Sequence, residues 1–209
     1  MASMNNACIV LILATLLMIN NADAADPDIV TDFVTPTGSS PADIDAAFFT
    51  FTEFRKALFG APSDASPFKV TKAGELEFAA LKGQSVSFAA LQYAPGGINP
   101  VHIHPRSAEL LIVLVGKLKV GFVDSNNNLF TKILKPGDVF LFPKGLVHFQ
   151  YNKDSNNHAV AVSAFGSSNA GTISLPNTLF SSGINTDFLA KSFKTDAETI
   201  NELVTANMG

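Results

Sequence analysis

From about Phe68 to Phe165 the chain runs in short stretches rich in Val, Phe and Leu, separated by turn-forming clusters: "ALKGQS", "APGG", "HPRS", "DSNNN", "LKPGD", "FPKG" and "NKDSNN". Many short strands at roughly ten-residue spacing predict an antiparallel sandwich or barrel. Alternation is clearest in "KLKVGFVD", where Leu118, Val120 and Phe122 share one face against Lys117 and Lys119. "KPGDVFLFPKG" predicts a buried strand bracketed by Pro136, Gly137, Pro143 and Gly145. The fold class is all-β, a single barrel over about 68–166.

The flanks follow other rhythms. "DPDIVTDFVTPTGSSP" reads as an extended arm with turns. In "DAAFFTFTEFRKALFG", Phe48, Phe51, Arg55 and Leu58 recur at helical spacing, and the remaining phenylalanines mark the segment for the core. Beyond the barrel, "TDFLAKSF" and "TDAETINELVTANM" predict C-terminal helices over about 186–207. Thr195 and Glu198 have capping-box spacing, and Ala197, Ile200, Leu203 and Val204 make an apolar stripe. That stripe suits either the chain's own barrel or another subunit.

At the N-terminus, Ala7 to Ile19 is continuously apolar, too short to span a bilayer, and precedes a small-x-small site at Ala22 and Ala24. Residues 1–24 are therefore expected to be a secretory leader, although they lack its usual Lys or Arg, and 25–209 a single exported domain with no membrane anchor. The only cysteine, Cys8, lies in that leader, so the mature chain has no disulfide. There is no N-x-Ser/Thr acceptor. With 209 residues, 47% hydrophobic, the chain is long enough to build a substantial core. A net charge of -4 argues against nucleic acid as a partner.

The candidate chemistry lies in four polar residues set among apolar ones. His102 and His104 are two apart, the spacing that places side chains on one face of a strand. Glu109 opens the apolar run "ELLIVLV", where an inward carboxylate needs a partner to offset its desolvation, and Pro105 supplies a turn between them. His148 follows in the next turn-bounded strand, while His158 sits in the polar "DSNNHAV" and reads as solvated. Three imidazoles and a carboxylate suit an open manganese, iron or similar site better than a closed zinc site, which favours cysteine.

Two glycine-bounded boxes hold these residues. The first contains Gly96, His102, His104, Glu109 and Gly116; the second contains Gly137, Pro143, Gly145, His148 and Asn152. Both resemble, at every spacing, the boxes of the plant germins and germin-like proteins of the cupin superfamily. The resemblance implies a cupin jellyroll β-barrel with an N-terminal arm and C-terminal helices. It implies one manganese ion per chain held by His102, His104, Glu109 and His148, secretion to the apoplast or cell wall, and a homo-oligomer, a hexamer built as a trimer of dimers. The activities it implies are superoxide dismutase and oxalate oxidase, and many germin-like members are tied to defence without a proven reaction. Two positions depart from the germin pattern. Val34 stands where an arm cysteine would be, so packing must hold the arm. Of two asparagines implied to hold oxalate, Asn99 is a possible substrate contact, but Ala89 replaces the other and cannot donate a hydrogen bond. Superoxide dismutation therefore ranks above oxalate oxidation, with a non-catalytic, metal-stabilised extracellular protein as the alternative from another class. The apolar residues Leu111, Val113, Phe140 and Phe142 are expected to wall the approach to the metal.

Overall fold

A computed structural model describes residues 26–59 and 66–208. The expected leader, residues 1–24, and Cys8 lie outside the described residues. Among those described, the chain forms two five-stranded antiparallel sheets that face one another. The strands are β1 (Phe68–Ala73), β2 (Ser87–Tyr93), β3 (Ile98–Ile103), β4 (Glu109–Val115), β5 (Leu118–Val123), β6 (Leu129–Leu134), β7 (Val139–Phe142), β8 (Val147–Tyr151), β9 (Ala159–Phe165) and β10 (Ile173–Ser174). One sheet has the order β1-β2-β9-β4-β7, the other β10-β3-β8-β5-β6; they bear out the antiparallel sandwich or barrel predicted from the strand rhythm and the jellyroll implied by the resemblance.

The alternation along β5 places Leu118 and Val120 fully inside. They meet Leu91, Leu111, Val113, Phe142 and Ala161 from the opposite sheet in one apolar core. The strand between the two Pro/Gly turns differs from expectation. β7 turns only one face to the core: Phe142 is fully buried, whereas Val139 and Leu141 lie on the sheet's outer face with Leu110 of β4 and remain about half exposed. Gly116 makes the β4–β5 turn at φ +73, and a Cβ there would come within 2.5 Å of the His158 carbonyl.

The N-terminal arm is extended, as expected, and several contacts hold it. Asp26 accepts a hydrogen bond from Ser167 Oγ at 2.6 Å, and Ile29 fills the space that a side chain at Gly83 would need. The Phe-rich segment is helical only over α1 (Phe54–Phe59). Phe48 and Phe51 precede that helix and instead join edge-to-face aromatic pairs, Phe48 with Phe49 and Phe51 with Phe54.

After β10 come α2 (Leu175–Phe180), α3 (Thr186–Phe193) and α4 (Ala197–Ala206). The first of these was not expected from the sequence. The cap of α4 also differs. Asp196, not Thr195, is the N-cap, its carboxylate accepting from Thr199 N at 2.8 Å. Part of the α4 stripe is covered within the chain, since Ile200 is fully buried against Leu189 and Ala190 of α3.

Candidate metal centre

The site is built where β3, β4 and β8 converge at one end of the barrel. On a regular strand Asn99 and His102, three apart, would face opposite sides. The β3–β8 register removes that conflict: Asn99 pairs with Gln150 and His102 with His148, so three steps on β3 span two on β8. This one-residue bulge contains Pro100, which has no N–H to give to the ladder, and it turns both side chains inward. His104 lies just past the end of β3, and Glu109 is the first residue of β4.

All four side chains are buried, and one ligand atom from each lies within 4.8 Å of the others. His104 Nε2 and His148 Nε2 are each 3.1 Å from Glu109 Oε2. The far nitrogen of every ring is committed to the backbone. His102 Nδ1 donates to Pro100 O at 2.7 Å, His104 Nδ1 to Gly171 O at 2.5 Å and His148 Nδ1 to Leu146 O at 2.8 Å. A carbonyl only accepts, so each Nδ1 carries a hydrogen, which leaves Nε2 as the ring nitrogen available to a metal. Two ring nitrogens this close to one carboxylate oxygen are held there by positive charge between them, a metal ion or, in its absence, protons on the rings. The donor chemistry thus fits a metal ion bound by three Nε2 atoms and Glu109 Oε2.

The protonation states favour the same conclusion. Burial, followed by the neighbouring His148, pushes His102 down to about 4, which keeps it neutral at neutral pH. For Glu109, burial acts to raise the pKa, but the contacts with His104 and His148 outweigh it and hold the carboxyl well below the usual range. A neutral imidazole and an ionised carboxylate are the forms that coordinate.

Two buried residues not singled out from the sequence complete the arrangement. Ser163 Oγ donates to Glu109 Oε1 at 2.6 Å, and Gln150 Nε2 donates to the same oxygen at 3.3 Å. With Oε1 occupied by these donors, Oε2 is left for the metal. Because Gln150 must turn its amide nitrogen to the carboxylate, its Oε1 accepts from Asn99 Nδ2 at 2.7 Å. The same Asn99 nitrogen is 3.5 Å from His102 Nε2, so its second hydrogen is directed to the edge of the metal position. The alternation His148, Gln150 along β8 was a readable signal for Gln150; Ser163, in a run of small residues, had none. His158 is exposed and apart from the cluster.

Packing fixes the rings. Phe142 stacks on His148 at 4.7 Å and 27°, and the edge of Phe165 meets His104 at 4.8 Å. Gly171, at φ +69, lets its carbonyl reach His104 while leaving room for Arg106, whose Nη2 would be 2.6 Å from a Cβ there. A cavity of about 210 Å³ leads to His102, His104 and Glu109 between Phe68, Val70, Ala89, Leu91 and Phe165. These residues, not Leu111, Val113, Phe140 and Phe142, wall the approach. The latter group lies on the other side of the ligands, in or against the closed core.

The family model described as Cupin matches residues 63–201. Germin-like protein 9-3 of Oryza sativa subsp. japonica is 54% identical over 183 residues, covering 86% of this chain and 85% of the relative. Germin-like protein 9-1 of the same organism is 50% identical over 194 residues, covering 92% of this chain and 77% of the relative. Among solved structures, oxalate oxidase is similar with a TM-score of 0.78 at 31% identity, over 87% of this chain and 98% of that one. With the barrel, the buried three-histidine, one-glutamate site and this similarity together, the chain belongs to the germin-like proteins of the cupin family.

Proposed function

We propose that this chain is a secreted manganese protein of the apoplast or cell wall that disproportionates superoxide. The observation that carries the reading is the asymmetry of the cavity: ligand atoms and a single amide N–H, from Asn99, at its inner end, and apolar side chains beside them. His102, His104, Glu109 and His148 would hold one manganese ion. When bound, that ion would supply a one-electron Mn(II)/Mn(III) couple, enough to oxidise one superoxide to dioxygen and to reduce a second, with two solvent protons, to hydrogen peroxide. The spare N–H of Asn99 donates to a small anion at the open side, while Gln150 fixes the orientation of that amide. The backbone carbonyls behind the three rings hold a hydrogen on each Nδ1 and so present Nε2 to the metal, and Ser163 keeps Glu109 in one pose.

Oxalate oxidation is the second reading, favoured by the likeness to oxalate oxidase and by Asn99 at the metal edge. Against it stands Ala89, which offers no donor to a second carboxylate. Purified protein assayed for superoxide dismutation and for peroxide release from oxalate separates the two: activity in the first and little in the second is expected, and robust oxalate turnover overturns the ranking. A metal-loaded protein inactive in both assays supports the non-catalytic alternative.

Secretion is supported by the apolar leader, and cleavage near residue 24 is checked by N-terminal sequencing of the exported protein. We further propose a homo-oligomer, with a hexamer as the resemblance implies. Leu110, Leu114, Val139 and Leu141 leave an apolar band on the outer face of the first sheet, and Phe188 and Phe193 of α3 are also exposed. Leu203 of α4 is 39% exposed and remains available to a partner. Light scattering of wild type and Leu203→Asp tests this: a smaller variant assembly is expected, and a monomeric wild type at micromolar concentration contradicts it.

A further inference from the structure

The space above the ligands exceeds what a diatomic anion fills. The cavity measures about 210 Å³, whereas about 10–15 Å³ of such space already admits a water. It is also smaller than the roughly 300 Å³ at which pockets for drug-sized ligands begin, so its occupant is small. Its polarity is graded from the inside outward. The inner end offers His102, His104, Glu109 and Asn99; the walls include Phe68 and Val70 from β1, Ala89 and Leu91 from β2, and Phe165 from β9, and of the polar lining Ser87, Ser168 and Asn169 donate elsewhere while Thr172 is exposed.

The register explains why the walls are apolar. Phe68, Val70 and Lys72 pair with Tyr93, Leu91 and Ala89, so the inner faces of β1 and β2 present one continuous surface that ends in Lys72 at the mouth. Among the described residues Lys72 has no carboxylate partner. Glu75 and Glu77 also line the mouth, but each is tied to the backbone or a loop: Glu75 Oε2 accepts from Ser168 Oγ at 3.1 Å, and Glu77 Oε2 from Gly74 N at 3.1 Å. One exposed cation beside two carboxylates leaves the mouth with a net negative charge, which opposes a dianion more than a monoanion. A second carboxylate lying against Ala89 and Leu91 would find no donor on either side chain to offset its desolvation.

We infer that the cavity binds an amphipathic monocarboxylate, its carboxylate at the metal beside Asn99 and a compact apolar body against Val70, Ala89, Leu91 and Phe165. This rests on the metal reading of the preceding section and extends it, since such a molecule occupies the position open to superoxide and is a ligand or competitor at the same site.

Phenylacetate, acetate and oxalate, titrated calorimetrically into the manganese-loaded protein with metal content measured on the same sample, test the inference. Phenylacetate is expected to bind at least about ten-fold tighter than acetate and tighter than oxalate, to change the manganese electron paramagnetic resonance spectrum, and to lose its hold on metal-free protein. Val70→Asn should reduce the phenylacetate advantage several-fold with acetate affinity little changed. Equal affinities for phenylacetate and acetate, tighter oxalate, or undiminished binding to metal-free protein would overturn it. A fully loaded protein without the preference defeats this inference alone, whereas a chain that takes up no metal defeats the metal reading beneath it.

Discussion

The two ends of the barrel interior are made by the same strands and behave as opposite solvents. On β4 the inward positions run Glu109, Leu111, Val113; on β9 they run Ser163, Ala161, Ala159; on β2, Ala89, Leu91, Tyr93. One end holds four ligands and two amides in a closed network where every buried side-chain polar atom has a partner. The other is dry, and there the Tyr93 hydroxyl is the one buried side-chain polar atom without a hydrogen bond among the described residues. Burial, with a contribution from the Glu109 charge, raises the Tyr93 pKa well above its ordinary value. Two residues of strand length separate a place that stabilises a carboxylate from one that cannot. What differs is the set of donors that cross from the facing sheet, chiefly His148 and Gln150 of β8.

The largest expected effect comes from moving the charge across that boundary. Leu111→Glu places a carboxylate one inward step beyond Glu109, against core side chains without donors, and should cost at least about 3–5 kcal/mol or prevent folding. Denaturant titration or soluble yield reads it, and a well-folded variant would show the dry end to be wetter than described.

Acid should undo the polar end of the metal-free protein. His102 falls from 6.5 in the unfolded chain to about 4 in the fold, so below 6.5 the unfolded state binds more protons. Stability is full above pH 6.5 and falls as pH drops toward 4, by on the order of 3 kcal/mol. Thermal melts of metal-free wild type and His102→Gln across that window check the sign. A flat profile in wild type contradicts the burial of a neutral ring.

Smaller changes separate partners from bystanders. Ser163→Ala removes one of two donors to Glu109 Oε1 and should weaken metal affinity by roughly 10–100-fold, read by competition with a chelator, at a stability cost of about 1–3 kcal/mol. Unchanged affinity would mean that Gln150 alone orients the carboxylate. At the dry end, Tyr93→Phe removes a hydroxyl that makes no bond. Its melting curve should be unchanged or slightly raised, within about 1 kcal/mol. A loss of several kcal/mol would reveal a partner for that hydroxyl.

Much of this division was legible in the sequence because periodicity and turn chemistry are local. The Pro/Gly turns delimit the strands, Leu118 and Val120 alternate into the core, and the box spacings bring His102, His104, Glu109 and His148 together. What escaped depends on strand partners, which a linear reading does not supply. β7 was expected to be buried from its composition, yet only one of its faces meets the core, and Val139 and Leu141 lie on the outer face of the sheet. The cavity wall was assigned to apolar neighbours in sequence, Leu111 and Phe142 among them, but pairing gives that role to Phe68 and Val70 from a strand far upstream. The bulge at Pro100 and the serine on β9 likewise acquire meaning only through register. At α4 the cap was read as Thr195, but Asp196 holds the position, its carboxylate accepting from both the amide and the hydroxyl of Thr199.

The central claim is that the polar end is a metal centre, and elemental analysis of the purified secreted protein tests it most directly. Close to one manganese per chain is predicted for wild type and for His158→Ala, with His104→Ala falling well below. A wild-type chain that holds no first-row metal, or equal metal loss in the two variants, would contradict the account.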